Sequence, residues 1–97
     1  MIFNSNDFEI MKDEYELNKL ATEVEMTIIL NEKLMDNYDA KTSYIKMTEL
    51  LNLIGKLQDL KNKAMIHNAT KVFDMCEIYI VDAEYQMNLL RNKYMGL

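Results

Sequence analysis

Ninety-seven residues with a net charge of −5, 49% apolar and 28% charged side chains, suffice for one domain that buries about two-thirds of its unfolded surface. No proline, two glycines and one cysteine leave few breakers and no internal disulfide, which points to an all-α chain and argues against a β fold. The charge is too mixed in sign for a disordered tail, and no apolar run approaches the roughly 18 residues of a membrane span.

A first helix is expected over about residues 7–36. Asn6 with Glu9 three places on reads as its capped start, with Asp7 favouring the positive end of the helix dipole. Ile10, Leu17, Val24, Asn31 and Tyr38 recur every seven residues, with Leu20, Ala21, Ile28, Leu34 and Met35 interleaved. That pattern describes an amphipathic rod roughly 45 Å long. Asn31 falls on the apolar seam, where an amide either fixes the pairing register or marks a wet end of the bundle. The same helix carries a broken second row, with Phe8, Met11 and Tyr15 early and Met26 and Ile29 later. Asp13, Glu14 and Glu16 are expected on a solvated face, their directions too divergent for a carboxylate metal site.

Asp36-Asn37-Tyr38-Asp39 is the best turn signal, and Asp39, Thr42 or Ser43 is placed to cap the next helix. This second helix is expected over about 42–66. Met47, Leu50, Leu53, Ile54, Leu57, Leu60 and Ala64 form its stripe, with Leu51 and Met65 at the margin. Lys61 lies near the middle of that stripe, its stem on apolar surface and its ammonium reaching water or an acid of the first helix. Gly55 lies outside the stripe. Around Ile66-His67-Asn68-Ala69-Thr70 the apolar phase slips by about two residues, which predicts a turn capped by Asn68 or Thr70. A continuous helix through this point would instead leave the first helix covering only half of it.

The third helix, about 69–95, organises the rest. Ala69, Phe73, Cys76, Ile80, Ala83, Met87, Leu90 and Tyr94 follow the four–three spacing of a seam packed along its length. A second row, Ile78, Val81, Tyr85 and Leu89, lies on roughly the opposite side at about 100° per residue. In a three-helix bundle both neighbours lie on one side of each helix, so this row is expected to be bare. An exposed patch of that kind marks an interaction surface, and nine methionines suit adaptable contacts.

Charge falls in blocks. Residues 1–40 hold ten acids and three bases, residues 41–71 six bases and two acids, and residues 72–97 four acids and two bases. A basic segment between acidic ones suits helices paired side by side. Ten lysines to a single Arg91 disfavour a sequence-specific reader of nucleic acid. Residue usage rich in Asn, Lys, Ile and Met suggests an AT-rich source, such as a low-GC bacterium or a phage. Met1 to Asp7 lack the basic-then-apolar order of a secretory leader, so a cytoplasmic setting is expected.

Catalytic constellations are not evident. His67 has Lys63 four residues before it and Lys71 four after, with no acid at helical spacing to orient it as a base or metal ligand. Cys76 reads as a small seam hydrophobe. There is no Gly-rich phosphate loop, no cysteine pair and no Glu-x-x-His, so neither metal nor cofactor is expected.

The sequence is therefore read as an all-α, antiparallel three-helix bundle with long coiled-coil-like helices and one domain over 1–97. Its expected role is non-enzymatic: an acidic, homo-oligomeric adaptor, chaperone or phage-type inhibitor that docks an apolar helical face on another protein or on itself. The expected partner surface is Ile78, Val81, Tyr85 and Leu89, helped by Phe8, Met11 and Tyr15. The alternative is an oligomeric binder of an anionic small ligand such as a nucleotide at Lys56, Lys63, His67 and Lys71.

Overall fold

The computed structural model describes residues 5–96. Three helices, α1 (Ser5–Leu34), α2 (Ala40–Ile66) and α3 (Thr70–Tyr94), make up an all-α antiparallel bundle, and the described residues contain no strand. The bundle is a rod of 57 × 19 × 16 Å with a radius of gyration of 15.9 Å. A compact chain of this length has a radius near 12.5 Å, so the helices lie side by side for most of their length and none folds over an end.

α2 and α3 pack closely along their length and form the hairpin on which α1 lies. The expected α2 stripe is buried from Leu50 to Ala64, with Met47 half-buried and Leu51 and Met65 exposed at its edges. Along α3, Ala69, Val72, Cys76, Ile80, Ala83 and Leu90 are buried. Tyr94, expected on the seam, is exposed and rests against Tyr44, their ring centroids 5.5 Å apart. Lys61 is half-buried, and its Nζ sits 5.6 Å from the centre of the Phe73 ring on α3, a cation–π contact that the sequence did not predict.

The two connections have different chemistry. After α1 a single turn of 3₁₀ helix, Met35–Asn37, leads to extended Tyr38, and Asp39 caps α2 by accepting from the Thr42 N–H at 2.7 Å. This bond favours the ionised carboxylate and holds the Asp39 carboxyl below its ordinary value. Of the three residues placed to cap, Asp39 does so. Ser43 is instead buried, its Oγ without a partner.

Between α2 and α3 the turn forms, but Asn68 closes α2 instead of capping α3. Asn68 takes φ of 60°, a left-handed conformation that Asn tolerates better than most residues. Its N–H reaches the Met65 carbonyl at 3.3 Å and the Ala69 N–H reaches that of Ala64 at 2.8 Å. This pair of bonds is the Schellman closure, and buried Ala64 and Ala69 supply the apolar contact that accompanies it. Ala69 stands at the N-cap of α3 and supplies no side-chain cap bond.

α1 departs from expectation in three places. It is already helical at Ser5, so Asn6 lies inside the helix and not at its cap. Leu34 is exposed. Asp13, expected on a solvated face, is 3% exposed. Only Leu20 and Val24 of α1 are fully buried apolar residues, with Ile10, Leu17 and Ile28 partly covered. α1 is thus the least apolar contributor to the core, and buried polar groups hold it toward both ends.

Candidate interaction surfaces and buried polar ties

The tie near the α1 C-terminus is a relay of three side chains. Tyr38 Oη donates to Asn31 Oδ1 at 2.8 Å, Asn31 Nδ2 donates to Gln86 Oε1 at 2.9 Å, and Gln86 Nε2 donates to the Ile28 carbonyl at 2.9 Å. Asn31 and Gln86 are buried, at 1% and 3% exposure. Of the two readings of Asn31, the structure selects the register-fixing amide: sliding α1 along the hairpin would leave buried amide groups unpaired.

The other tie is an acid–imidazole pair. His67, the residue at which α2 ends, brings Nδ1 within 2.7 Å of Asp13 Oδ2. Its Nε2 lies 3.9 Å from Glu9 Oε2. Sequence spacing shows no acid able to orient His67, and within its own helix that holds; the acids come from α1. A buried carboxylate needs such a partner. Asp13 and Gln86 are the tie-forming residues that sequence reasoning missed. Both had a signal: Asp13 stands seven residues before Leu20, and Val72, Cys76, Tyr79, Ala83, Gln86 and Leu90 form a second four–three row.

Cys76 is fully buried. Burial pushes its thiol up to about 11, with Asp13 and Glu16 adding to the rise and Lys61 opposing it. Such a thiol is not a nucleophile at neutral pH. Among the described residues no group of three or more His, Cys, Asp or Glu side chains stands together as a metal site. No helix among them is long and apolar enough to cross a membrane.

The row on the back of α3 is bare: Ile78 is 52% exposed, Val81 64%, Tyr85 68% and Leu89 39%. Val81, Tyr85 and Leu89 form one wall of a groove between α3 and the second half of α1, with Ile28 on the other wall and Glu32 and Asp82 among its lining residues; its volume is about 390 Å³. On the same side Tyr79 donates to Glu25 at 3.0 Å. Burial and this bond both raise the phenol above its ordinary value, so it stays a donor.

Phe8, Met11 and Tyr15 are likewise exposed, but they do not join the α3 row. Tyr15 precedes Ile28 by thirteen residues, about 20 Å along the helix axis. The two sets are separate surfaces.

The expected cationic row is not assembled into one site. Lys56 and Lys63 border a cleft between α1 and α2 whose other lining residues are Glu16, Lys19, Leu20, Glu23 and Asp59. Lys63 pairs with Glu16 at 3.6 Å, His67 is engaged by Asp13, and Lys71 lies outside the cleft. Acids from both helices balance the lysines there.

Comparison with protein-family models, with curated proteins and with solved structures finds no match to this chain. The fold defines the class: an antiparallel three-helix bundle in which a tight α2–α3 hairpin carries a polar-tethered α1.

Proposed function

We propose that this is a non-enzymatic interaction protein that binds one other protein stoichiometrically through the groove between α1 and α3. The observation that carries the reading is the bare row Ile78, Val81, Tyr85 and Leu89, of which Val81, Tyr85 and Leu89 border the groove facing Ile28. Their three- and four-residue spacing suits an amphipathic helix laid along the channel, which would complete a four-helix cross-section. Glu32 and Asp82 in the lining favour a docking helix flanked by Lys or Arg. An adaptor, a chaperone and a phage-type inhibitor all act in this manner. A cytoplasmic setting accords with a lone cysteine that forms no internal disulfide.

The test is paired capture from the source cell, with the unmodified chain and a folded Val81→Glu variant as baits. A partner retained by the first and lost by the second supports the groove. A partner held equally by both, or displaced only by changes at Lys56 and Lys63, overturns it.

A further inference from the structure

The charges around the bare row of α3 decide what can lie on it. With buried Ala83 taken as pointing to the core, Ile78, Val81, Tyr85 and Leu89 fall at about 160–240° at 100° per residue. Asp74 extends the row by one turn at about 180°, Glu77 and Glu84 flank it at about 120° and 100°, and Asp82 flanks it at about 260°. Across the groove α1 adds Glu25 and Glu32. All six acids are exposed, and α3 contains no base from Val72 to Leu90. The bases of this helix stand at its two ends, Lys71 at the start and Arg91 and Lys93 in the last turn.

On the α1–α2 side the charges answer one another. Glu9 meets Lys12 at 3.6 Å, Asp13 meets His67 at 2.7 Å and Glu16 meets Lys63 at 3.6 Å. Among the described residues none of the six acids around the row enters an ion pair, and Glu25 accepts from the neutral Tyr79 hydroxyl. Negative charge thus frames the apolar row with no cation set against it. Such a frame repels itself in the free protein, and a cationic occupant relieves it. A second copy laid face to face on the row does the opposite: whichever way it runs, acid meets acid.

We propose that the occupant of the α1–α3 groove is a cationic amphipathic helix of another protein. Its apolar stripe lies on Ile78, Val81, Tyr85 and Leu89. Lys or Arg on both its flanks faces Glu25, Glu32 and Asp82 on one side and Glu77 and Glu84 on the other. This rests on the groove reading above and adds the charge of what fills it.

Fluorescence anisotropy of labelled helical peptides tests this, with circular dichroism confirming that each protein variant is folded. Three synthetic peptides share one Leu stripe and carry Lys, Gln or Glu on both flanks. The Lys peptide is expected to bind at least about tenfold tighter than the Gln peptide, and the Glu peptide not at all. Raising salt from about 0.05 to about 0.5 M should weaken the Lys peptide, because exposed charges are screened. Tyr85→Ala and Asp82→Lys should each weaken it about tenfold. Asp59→Lys makes the same change of net charge in the α1–α2 cleft and should alter binding less than about twofold. A Gln peptide that binds as tightly as the Lys peptide and is lost with Tyr85→Ala overturns the cationic occupant and leaves the groove standing. A Lys peptide indifferent to Tyr85→Ala, or weakened as much by Asp59→Lys as by Asp82→Lys, follows net charge alone and overturns both. No binding by any peptide overturns the proposal, as does a dimer in sedimentation that Tyr85→Ala dissolves, which puts a second copy on the row.

Discussion

Asn31 on α1 donates to Gln86 on α3 at 2.9 Å across 55 residues of sequence. The bond joins the least apolar helix to the tight hairpin at a point where neither residue sees water. Two consequences of such buried polar ties, and one of the buried Cys76 thiol, can be measured.

Replacing Asn31 alone with Leu strands the Gln86 amide and the Tyr38 hydroxyl. The expected loss is about 2 kcal/mol of unfolding free energy, since a buried polar group without a partner costs about 1–3 kcal/mol. Converting Gln86 to Leu as well should recover more than half of that. Urea unfolding of the two single variants and the double variant measures the coupling, and a single Asn31→Leu that stabilises the fold would remove Asn31 from this role.

His67→Ala leaves Asp13 buried with its imidazole gone. A buried polar group left without its partner costs about 1–3 kcal/mol, and Glu9, half-exposed, does nothing to offset it. The loss should appear first in α1. Amide exchange in the first half of α1 is expected to accelerate toward the global unfolding rate while α2 and α3 remain protected, and uniform acceleration across all three helices would contradict the tie.

The Cys76 thiol, raised from 9.0 to about 11 by burial, makes stability fall at alkaline pH. Above the ordinary thiol value the unfolded chain releases a proton that the folded chain keeps, so the unfolded state binds fewer protons and the slope of stability with pH is negative. The window is pH 9 to 11, and the loss across it is about 2–3 kcal/mol. Thermal unfolding compared with Cys76→Ala isolates this contribution, because the variant should lose stability less steeply over the same range. Equal slopes would show that other groups, such as Tyr79, account for the fall.

Periodicity made the bundle readable. The α2 stripe from Leu50 to Ala64 and the α3 seam through Cys76, Ile80 and Ala83 are long apolar repeats with little polar interruption, and all of them are buried. The break at Asn68 was readable as a phase slip, but its chemistry was not: a left-handed residue is recognised by its backbone, and Asn serves as a cap at either end of a helix. The bareness of Ile78, Val81, Tyr85 and Leu89 followed from angle alone. Their distance from Phe8, Met11 and Tyr15 did not, because angle says nothing about height along neighbouring helices.

By itself the amino-acid order determined three helices, the faces they bury and the rows they leave in water, since these depend on the fixed 3.6-residue turn of one rod. Which acid meets His67, and whether Asn31 is wet or paired, depended on how α1 is set against the hairpin. Asp13 and His67 are 54 residues apart, and a polar residue on a seam has no preferred partner until the neighbouring helix arrives. Local repetition sets the direction of a side chain; only packing sets what it meets.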